Sequence, residues 1–481
     1  MRIIKDISYS TIQNIAGFVL SFITSMLLAR ILGAEEFGKY SFTIWMIGFF
    51  STIIMLGLPA TLTKYISQLY PAQKQRIQGF IYSLIKQYII LFCLVSILFY
   101  LIYRNKIPIN YFFVLIIIAG FIFNNFITSI ISGLRNFKVL MYSSLVSHII
   151  FLVLIIVFLR KYANCNTAIL IYTIFLLTGF LINIFYEKRW KEIVIKTDNY
   201  TQKELSDISK YYRYVSFALI LDYVVWQNSE IFFLRIYSPV KEISFYTIAY
   251  SLAFLPQRLL VSSISKVMLP FMSNIYGKND WESLNKSYTI FTKYISFIFI
   301  PIYLILFFLA DKVIQLLYGR DYLFCVYSVR IILCSALFGS IATVGSNYVH
   351  TIEKVDIIVK IGFFVALLNI VLNIILIPKY HSIGAAIGNS LAQIVACLVG
   401  TFYLIYSFKL KFPLGSILKY FIYSFIGCYI TNFLILSQFQ SVMYIAIYSL
   451  VCSLVYIGFI FLDPFEINEF KKMLLKMKEK I

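Results

Sequence analysis

The sequence predicts an all-α membrane protein with about fourteen transmembrane helices, arranged as two six-helix bundles related by a parallel repeat and followed by two further helices. Apolar residues make up 61% of the 481 residues and charged residues 13%, whereas soluble domains average about 45–50% and about 25%. Apolar stretches of about twenty residues, the length that crosses a bilayer, recur along the chain. A polar elbow between the first two stretches returns in the second half. A single soluble core is thereby excluded.

Each apolar stretch predicts one transmembrane helix. Polar or proline-containing segments separate the stretches. The predicted spans are residues 11–32, 40–63, 80–103, 111–132, 139–159, 167–186, 214–236, 243–265, 290–310, 323–349, 357–377, 383–406, 415–436 and 440–462. The first stretch has the length of a complete span and lacks a small-residue cleavage pattern. We therefore expect it to remain as the first transmembrane helix.

Two short polar elbows indicate an internal repeat. The first elbow is residues 28–40 and the second is residues 233–246. Their matching residues are Arg30 and Arg235, Glu36 and Glu242, and Tyr40 and Tyr246. Because each elbow lies near the start of one half of the chain, an internal duplication explains the match better than chance. Arg30 and Arg235 are the candidate residues of a gate at these elbows.

The domain organisation follows from the spans and from the longest connection between them. The predicted segments are an N-terminal six-helix bundle (1–186), a cytoplasmic linker (187–213), a C-terminal six-helix bundle (214–406), two additional transmembrane helices (407–462) and a basic cytoplasmic tail (463–481). With the N-terminus inside, most of the 42 lysine and arginine residues fall in cytoplasmic segments. Both termini are therefore predicted to face the cytoplasm. Six spans in each bundle give the bundles the same orientation, which is typical of a parallel repeat.

The net charge of +21 is spread over many short connections between spans. No basic face or nucleic-acid motif is present, so no nucleic-acid partner is predicted. The positive charges are better explained as topology signals and as contacts with anionic membrane lipids. The seven cysteines are scattered and form no C-x-x-C pair, so neither a metal site nor a disulfide framework is predicted.

Acidic residues within spans are candidates for function because charge is costly in lipid. Asp222 and Glu230 lie eight residues apart in the seventh predicted span. They are the candidate ion-coupling residues, where a carboxylate would bind a proton or sodium ion in exchange between two environments. The alternative is that they form structural ion pairs with Arg258 or Arg330.

Cations and amides within spans are the candidates for substrate binding. The cations are Arg258, which follows a proline that would bend its helix, Arg330 and Lys86. An anion in a low-dielectric cavity would need such fixed charges, but each side chain could instead extend to the nearer membrane surface. Asn369 and Asn373 lie four residues apart and share a helix face. Hydrogen bonding between helices is the alternative explanation for this pair.

Three stretches carry a resemblance to a known family. They are residues 28–40 with 56–59, residues 245–250 running on to 269–270, and residues 369–389. The chain thereby resembles the Wzx-type polysaccharide flippases of the multidrug/oligosaccharidyl-lipid/polysaccharide (MOP) exporter superfamily, over nearly its whole length. It departs from that family at Ser244, since the family usually has a glycine just before the tyrosine of the second elbow.

The resemblance implies a MATE-like fold and a function in surface polysaccharide synthesis, whether of O-antigen, capsule or exopolysaccharide. It implies that an undecaprenyl-diphosphate-linked oligosaccharide crosses the bacterial cytoplasmic (inner) membrane from the inner to the outer leaflet. Two bundles would alternate around a cationic cavity, coupled to a proton or sodium gradient and without a bound cofactor. The implied protein partners are a polysaccharide polymerase and chain-length machinery.

Two other functions are considered for a sequence of this kind. A drug or cation antiporter of the same superfamily would share the fold, and only transport assays separate it. A membrane glycan polymerase is disfavoured because such enzymes usually carry a large extracytoplasmic loop, whereas all outer connections predicted here are short. No enzyme activity is predicted, because catalytic motifs are missing and His148, His350 and His381 fall in three separate segments.

Overall fold

The chain is seen here in a computed structural model. The structure describes residues 2–70, 74–103, 111–194, 229–354, 356–434 and 441–464, together with residues 206, 208–213, 215, 216 and 219. Within this part of the chain every regular element is helical, which confirms the all-α prediction. Nine helices of the described residues are long and apolar enough to cross a membrane. The predicted number of fourteen spans is not confirmed.

The chain divides into two compact units, Met1–Thr247 and Ile248–Ile481. The segment boundaries predicted from the sequence stay predictions, because most of the predicted linker at 187–213 and nearly all of the predicted tail at 463–481 lie outside the described residues.

Unit 1 is a bundle of long helices. Its elements are α1 (Arg2–Met55), α2 (Leu58–Leu69), α3 (Lys74–Tyr103), α4 (Tyr111–Gly133), α5 (Phe137–Leu154, continued by a π-helical turn at Ile155–Leu159), α6 (Cys165–Tyr186), α7 (Trp190–Val194), α8 (Glu230–Tyr237) and the first half of α9 (Val240–Ala253). Most of these elements bury an apolar stripe against a neighbour and leave apolar side chains on the outer surface, as expected in lipid.

The first elbow is formed by a glycine. The 54 residues of α1 would extend about 80 Å as one straight helix, far more than a bilayer requires. At Gly33 the backbone takes φ 72° and ψ 172°, which interrupts the helix. This conformation is open to glycine because it has no Cβ. The first and second predicted spans are therefore two helical segments joined at Gly33.

The two predicted elbows lie against each other within unit 1. A Cβ atom at Gly38 would lie 2.3 Å from the carbonyl oxygen of Val240, so the helices can be this close only because residue 38 is glycine. The guanidinium of Arg235 lies 5.6 Å from the ring centroid of Phe42. The two segments that match as a sequence repeat are thus also in contact, through Gly38 and Val240.

Contacts at the ends of the unit 1 helices follow the predicted alternation of the spans. At the elbow end, the backbone N–H of Cys165 at the start of α6 donates to Glu36 over 2.8 Å. At the opposite end, Asn136 between α4 and α5 donates to Glu187, just after α6, over 2.7 Å. Connections that are predicted to share one membrane side therefore share one end of the bundle.

Unit 2 contains the second half of α9 and a further set of helices. These are a π-helical turn (Gln257–Val261), α10 (Ser262–Gly277), α11 (Trp281–Phe308), α12 (Ala310–Leu317), a 3-10 turn (Arg320–Cys325), α13 (Val326–Thr351), α14 (Asp356–Phe408), α15 (Leu414–Leu434) and α16 (Ser441–Leu462). The helix α14 is interrupted at His381 (φ 49°, ψ −126°), between the predicted spans 357–377 and 383–406.

The helix boundaries around residue 280 differ from those that the sequence predicts. We expected a span to end near residue 265 and the next to begin near residue 290, but α10 continues to Gly277 and α11 begins at Trp281. The carboxylate of Asp280 accepts a hydrogen bond from the backbone N–H of Ser283 over 2.9 Å. This N-cap stabilises a helix start well before the apolar stretch begins.

Candidate functional site

The helix α2 has one buried face and one polar face. Leu58, Leu62 and Ile66 are buried and belong to an apolar core that includes residues of α3 and α4. Thr63 and Lys64 project on the other side of the helix. This polar face is placed within a membrane protein, where it would be costly against lipid. It therefore indicates a cavity.

A cleft of about 590 Å³ opens between this polar face and α4. Most of its lining side chains carry a hydroxyl, amide or positively charged group. The lining residues are Pro59, Ala60, Thr63, Lys64, Ser67, Asn125, Thr128, Ser129, Ser132, Arg135 and Phe137. No carboxylate is present among these described residues, so the cleft has a positive charge that nothing in its lining balances.

Close packing of α2 on α4 fixes the shape of the cleft. A Cβ atom at Gly133 would lie 2.7 Å from the Cβ of Ile66, so the two helices are in direct contact there. The hydroxyl of Thr63 shares its proton between the carbonyl of Pro59 on its own helix (2.9 Å) and the carbonyl of Ser129 on α4 (3.2 Å), which links the helices again. The polar residues are thus held on two rigid helices.

The hydroxyl groups of the lining present acceptor oxygens to the cleft. Thr128 donates its hydroxyl proton to the carbonyl of Asn124 over 2.7 Å, and Ser129 donates to the carbonyl of Asn125 over 2.7 Å. Ser67 donates to the carbonyl of Lys64 over 2.8 Å. A hydroxyl whose proton is used within its own helix still offers lone pairs. The cleft can therefore accept hydrogen bonds from a ligand that carries many hydroxyl groups.

Lys64 and Arg135 give the cleft its positive charge. The ammonium of Lys64 lies 3.6 Å from the ring centroid of Tyr211, which is a cation–π contact. Arg135 is exposed in the turn after α4, at φ 56°. An ammonium and a guanidinium on the same surface are suited to bind phosphate oxygens.

A second cavity of about 240 Å³ adjoins the cleft and shares Arg135 and Phe137 with it. It is also lined by Tyr9 at the start of α1, Lys138 and Arg189. The positive surface therefore continues from α2 around the α4–α5 turn to α1. Among the described residues, no group of three or more His, Cys, Asp or Glu side chains is placed to hold a metal ion.

Glu187 balances part of this charge from inside the protein. Its side chain is only 4% exposed, and Arg189 binds both carboxylate oxygens, over 2.7 and 2.6 Å. Burial by itself raises the pKa of Glu187, but hydrogen bonds from Arg189 and Asn136 and the arginine charge outweigh burial and hold the pKa below its usual range. Glu187 is thus a charged structural residue, and Lys64 and Arg135 have no such partner within the described part of the chain.

The structure places the predicted substrate-binding cations apart from the cleft. Arg258 is exposed in the π-helical turn, with its guanidinium 5.7 Å from the ring centroid of Tyr250. Arg330 is half-buried in α13 and donates to the carbonyl of Phe307, at the end of α11, over 3.2 Å. The side chain of Lys86 lies outside the described residues. The binding roles of these three residues stay predictions.

The predicted asparagine pair is closed off within unit 2. Asn369 and Asn373 are both 0% exposed, and the amide of Asn373 donates to Asn369 over 2.8 Å. A Cβ atom at Gly388, on the second half of α14, would lie 2.8 Å from the Asn373 side-chain oxygen. In this conformation both side-chain amides are enclosed by other protein atoms and do not line a cavity that a ligand could enter.

The remaining predicted residues lie in or near the elbows of unit 1. Glu230 begins α8, is 0% exposed and accepts a hydrogen bond from the hydroxyl of Tyr246 over 2.9 Å. Asp222 lies outside the described residues, so its predicted role in ion coupling is without a structural counterpart. Arg30 is exposed on α1, and Arg235 packs over Phe42 as described above.

Reasoning from the sequence missed Lys64 and Arg135. Lys64 falls just after the predicted span 40–63 and Arg135 just after the predicted span 111–132, so both counted only as topology signals. A signal was available on α2, where Thr63 and Ser67 share one face of the helix. Nothing local in the sequence brings Arg135 to the same surface.

Two family comparisons cover most of the chain. The sequence model of a family described as polysaccharide biosynthesis protein matches residues 3–276, and that of the MatE family matches residues 215–375. The capsular polysaccharide biosynthesis protein CapF of Staphylococcus aureus is 23% identical over 407 residues, which cover 82% of this chain and 97% of CapF. The uncharacterized membrane protein MJ1068 of Methanocaldococcus jannaschii is 28% identical over 125 residues, or 26% of this chain, and the match spans only 25% of MJ1068.

Solved structures share the fold. The lipid II flippase MurJ in an inward closed conformation has a TM-score of 0.75 at 20% identity, and the match covers 97% of this chain and 99% of MurJ. An inward-facing multidrug resistance MATE family transporter of the MOP superfamily has a TM-score of 0.66 at 15% identity, covering 82% of this chain and 94% of that one. These similarities confirm the predicted MATE-like fold class.

Proposed function

This chain belongs to the polysaccharide biosynthesis protein family, a family of the MOP superfamily of membrane transporters, and we propose that it is a flippase for a lipid-linked oligosaccharide. The substrate would be an oligosaccharide joined through a diphosphate to an undecaprenyl chain. Its transfer from the inner to the outer leaflet of the bacterial cytoplasmic membrane would supply surface polysaccharide synthesis. The polysaccharide function of the family and of CapF supports this substrate class.

The observation that carries the proposal is the composition of the α2–α4 cleft. Two cations, Lys64 and Arg135, lie beside hydroxyl groups that donate to backbone carbonyls and whose oxygens can still accept hydrogen bonds. A diphosphate that leaves water needs fixed positive charge in return for its lost hydration. Sugar hydroxyls need acceptors, and the serine and threonine oxygens supply them. The two parts of the proposed ligand thus match the two kinds of group in the cleft.

The position of the cleft suits loading from the cytoplasm. It is formed at the bundle end that holds the α4–α5 turn, which the distribution of basic residues predicts to face the cytoplasm. Lipid-linked precursors would enter there, and the undecaprenyl chain would stay in the bilayer. Alternating access would then move the head group outwards, with a proton or sodium gradient as the energy source because no nucleotide-binding motif is present. A polysaccharide polymerase with its chain-length machinery would consume the product.

A second candidate function is a drug or cation antiporter, which the MatE match to residues 215–375 favours. The charge of the cleft argues against it. Lys64 and Arg135 would repel a cationic drug, and no carboxylate of the described cleft lining would attract it. An uncharged, hydroxyl-rich head group joined to phosphate is therefore the better match.

The test is a transport assay with purified protein in liposomes. A fluorescent undecaprenyl-diphosphate oligosaccharide would be placed in both leaflets, and its movement would be followed by access of a membrane-impermeant quencher. We expect the protein to equilibrate the label at least tenfold faster than empty liposomes do. An organic cation such as ethidium, tested in the same vesicles, should not be transported. Transport of ethidium without movement of the lipid-linked sugar would establish the antiporter instead.

A further inference from the structure

His148 lies on α5, within a helix long and apolar enough to cross a membrane. Two hydrogen bonds hold its ring. Nδ1 lies 2.7 Å from the backbone carbonyl oxygen of Ser144, and Nε2 lies 3.0 Å from the hydroxyl of Ser21 on α1. A carbonyl can only accept, so Nδ1 carries a hydrogen atom. In the neutral ring, Nε2 therefore accepts from the Ser21 hydroxyl.

This arrangement satisfies both protonation states of the ring. When Nε2 takes up a proton, its lone pair forms an N–H bond that can donate to the Ser21 oxygen. The hydroxyl needs only to rotate, because a serine hydroxyl both donates and accepts. Neither state leaves a ring nitrogen without a partner.

The surroundings of His148 come from three helices and carry no formal charge. Phe175 of α6 meets the ring edge to face at 4.9 Å between centroids. A Cβ atom at Gly17 of α1 would lie 4.0 Å from the ring, so the glycine leaves space beside it. Phe175 in turn packs against the titratable Tyr172, at 5.8 Å between ring centroids.

The hydrogen-bond partner of His148 lies on a polar stripe of α1 that leads towards the cationic cavities. Tyr9, which lines the second cavity, is followed by Gln13, Gly17 and Ser21 at intervals of four residues, so each is a neighbour of the next on the helix surface, and the series winds by about 120° from Tyr9 to Ser21. Ser21 is exposed although it lies within an apolar span. The hydrogen bond between Ser21 and His148 is therefore accessible at the surface of unit 1.

We propose that His148 is a proton-binding site that couples proton uptake to anion transport. This inference rests on the proposed function and identifies a coupling residue other than the acidic residues of the seventh span. Nε2 would take a proton from water, and the new imidazolium would add a positive charge about 16 Å along α5 from Phe137. That charge would strengthen binding of a diphosphate. Release of the proton to water would weaken binding again and return Nε2 to its neutral state.

A direct titration tests the site without any transport measurement. The chain has only three histidines, so the variant His350→Gln/His381→Asn leaves His148 as the sole ¹⁵N-histidine signal in nanodiscs. We expect its ring to change from the Nδ1–H neutral form to the doubly protonated form between pH 8 and pH 5. Ser21→Ala in the same background should shift this transition. A ring that stays neutral throughout this range would overturn the proposal.

Transport at different pH values tests the coupling. The rate of the parent protein should rise about fivefold from pH 8 to pH 6, and that of His148→Gln, normalised to its own value at pH 8, should change less than twofold. His350→Gln, which changes an exposed histidine, is the matched control and should keep the parental profile. A parental profile in His148→Gln would overturn the coupling role. Absence of transport in the parent would instead refute the proposed function, while the titration would still decide whether His148 binds a proton.

Discussion

Polar side chains interrupt the apolar helices in two regions that differ in access. In unit 1, Lys64 and Arg135 border an open cleft of about 590 Å³. In unit 2, Asn369 and Asn373 bond to each other and are both 0% exposed. The first region can receive a ligand in this conformation, and the second region is enclosed where Gly388, on the second half of α14, approaches Asn373. A polar face on a membrane helix therefore has two physical explanations.

Glycine and charge distinguish the two regions. Gly384 and Gly388 let the two halves of α14 approach until the asparagine side chains are enclosed. Neutral amides tolerate this enclosure because they can bond to each other. Enclosing Lys64 and Arg135 would require an opposite charge beside each, as the enclosed Glu187 has Arg189 beside it. Among the described residues, Lys64 and Arg135 have no carboxylate partner and border an open surface.

The largest expected effect tests how tightly the region in unit 2 is closed. A Cβ atom at Gly384 would lie 2.4 Å from the carbonyl oxygen of Leu376, a backbone atom that cannot move aside easily. Gly384→Leu should lower the free energy of unfolding by about 3 kcal/mol or prevent folding. Thermal unfolding in detergent measures this. Gly400→Leu, on the same helix with open space around it, is the control. Equal stability of both variants would show that α14 is not closed as described.

The next effect tests whether the open region in unit 1 binds the anion. Lys64→Gln/Arg135→Gln removes both cations from the cleft, and each charge-assisted contact contributes about 1.5 kcal/mol. We expect the transport rate at low substrate concentration to fall at least tenfold, with unchanged thermal stability. Arg160→Gln/Lys161→Gln removes the same charge from exposed positions outside the cleft and should retain transport. If both double variants transport equally well, the cleft is not the binding site.

A third prediction concerns Glu187, whose charge stabilises unit 1, in contrast to the charges of Lys64 and Arg135 in the cleft. The pKa of Glu187 lies below its ordinary value of 4.5. Its stabilising contribution is therefore complete above that value and is lost as the pH falls through the lower pKa of the folded state. Glu187→Gln should cost about 1–2 kcal/mol at pH 7, and the difference from the parent should shrink below about pH 4. Denaturation at pH 7 and pH 3.5 checks this. A difference that grows in acid would contradict the assigned direction.

The smallest effect concerns the buried asparagines. Asn373→Leu has nearly the same shape and removes the hydrogen bond to Asn369, which in membrane proteins is worth about 0.6 kcal/mol on average. We expect a small loss of stability and full transport of the lipid-linked sugar. A loss of transport without a loss of stability would mean that these amides meet the substrate in another conformation. The distinction between the open and the closed region would then fail.

Much of the helical architecture could be predicted because apolar length is a local property of the sequence. The predicted spans 111–132 and 167–186 agree within two residues with Tyr111–Gly133 and Cys165–Tyr186. The break at Gly33 was expected from the polar elbow. The early start of α11 was not, because a single Asp280 cap outweighs the apolar pattern that follows. The seventh predicted span lies mostly outside the described residues.

The cleft could not be predicted in the same way. Lys64 and Arg135 are far apart in the sequence, and the packing of Ile66 on Gly133 brings their helices together. That contact depends on tertiary structure, which no local pattern shows. The shared face of Asn369 and Asn373 was predicted, and their hydrogen bond agrees with it. Their enclosure depends on Gly388 across the break at His381, which the sequence leaves open.

At the contact between the two elbows, the size of the side chain at residue 38 sets the distance between the two helices. With only 2.3 Å between the Val240 oxygen and a Cβ atom placed at Gly38, alanine, serine and valine at this position would act as wedges of increasing thickness. Each would hold the elbows further apart, since the atom opposite belongs to the backbone. Variants with alanine, serine or valine at residue 38 could therefore be used to set the separation of the elbows by side-chain volume. Cross-linking would measure that separation.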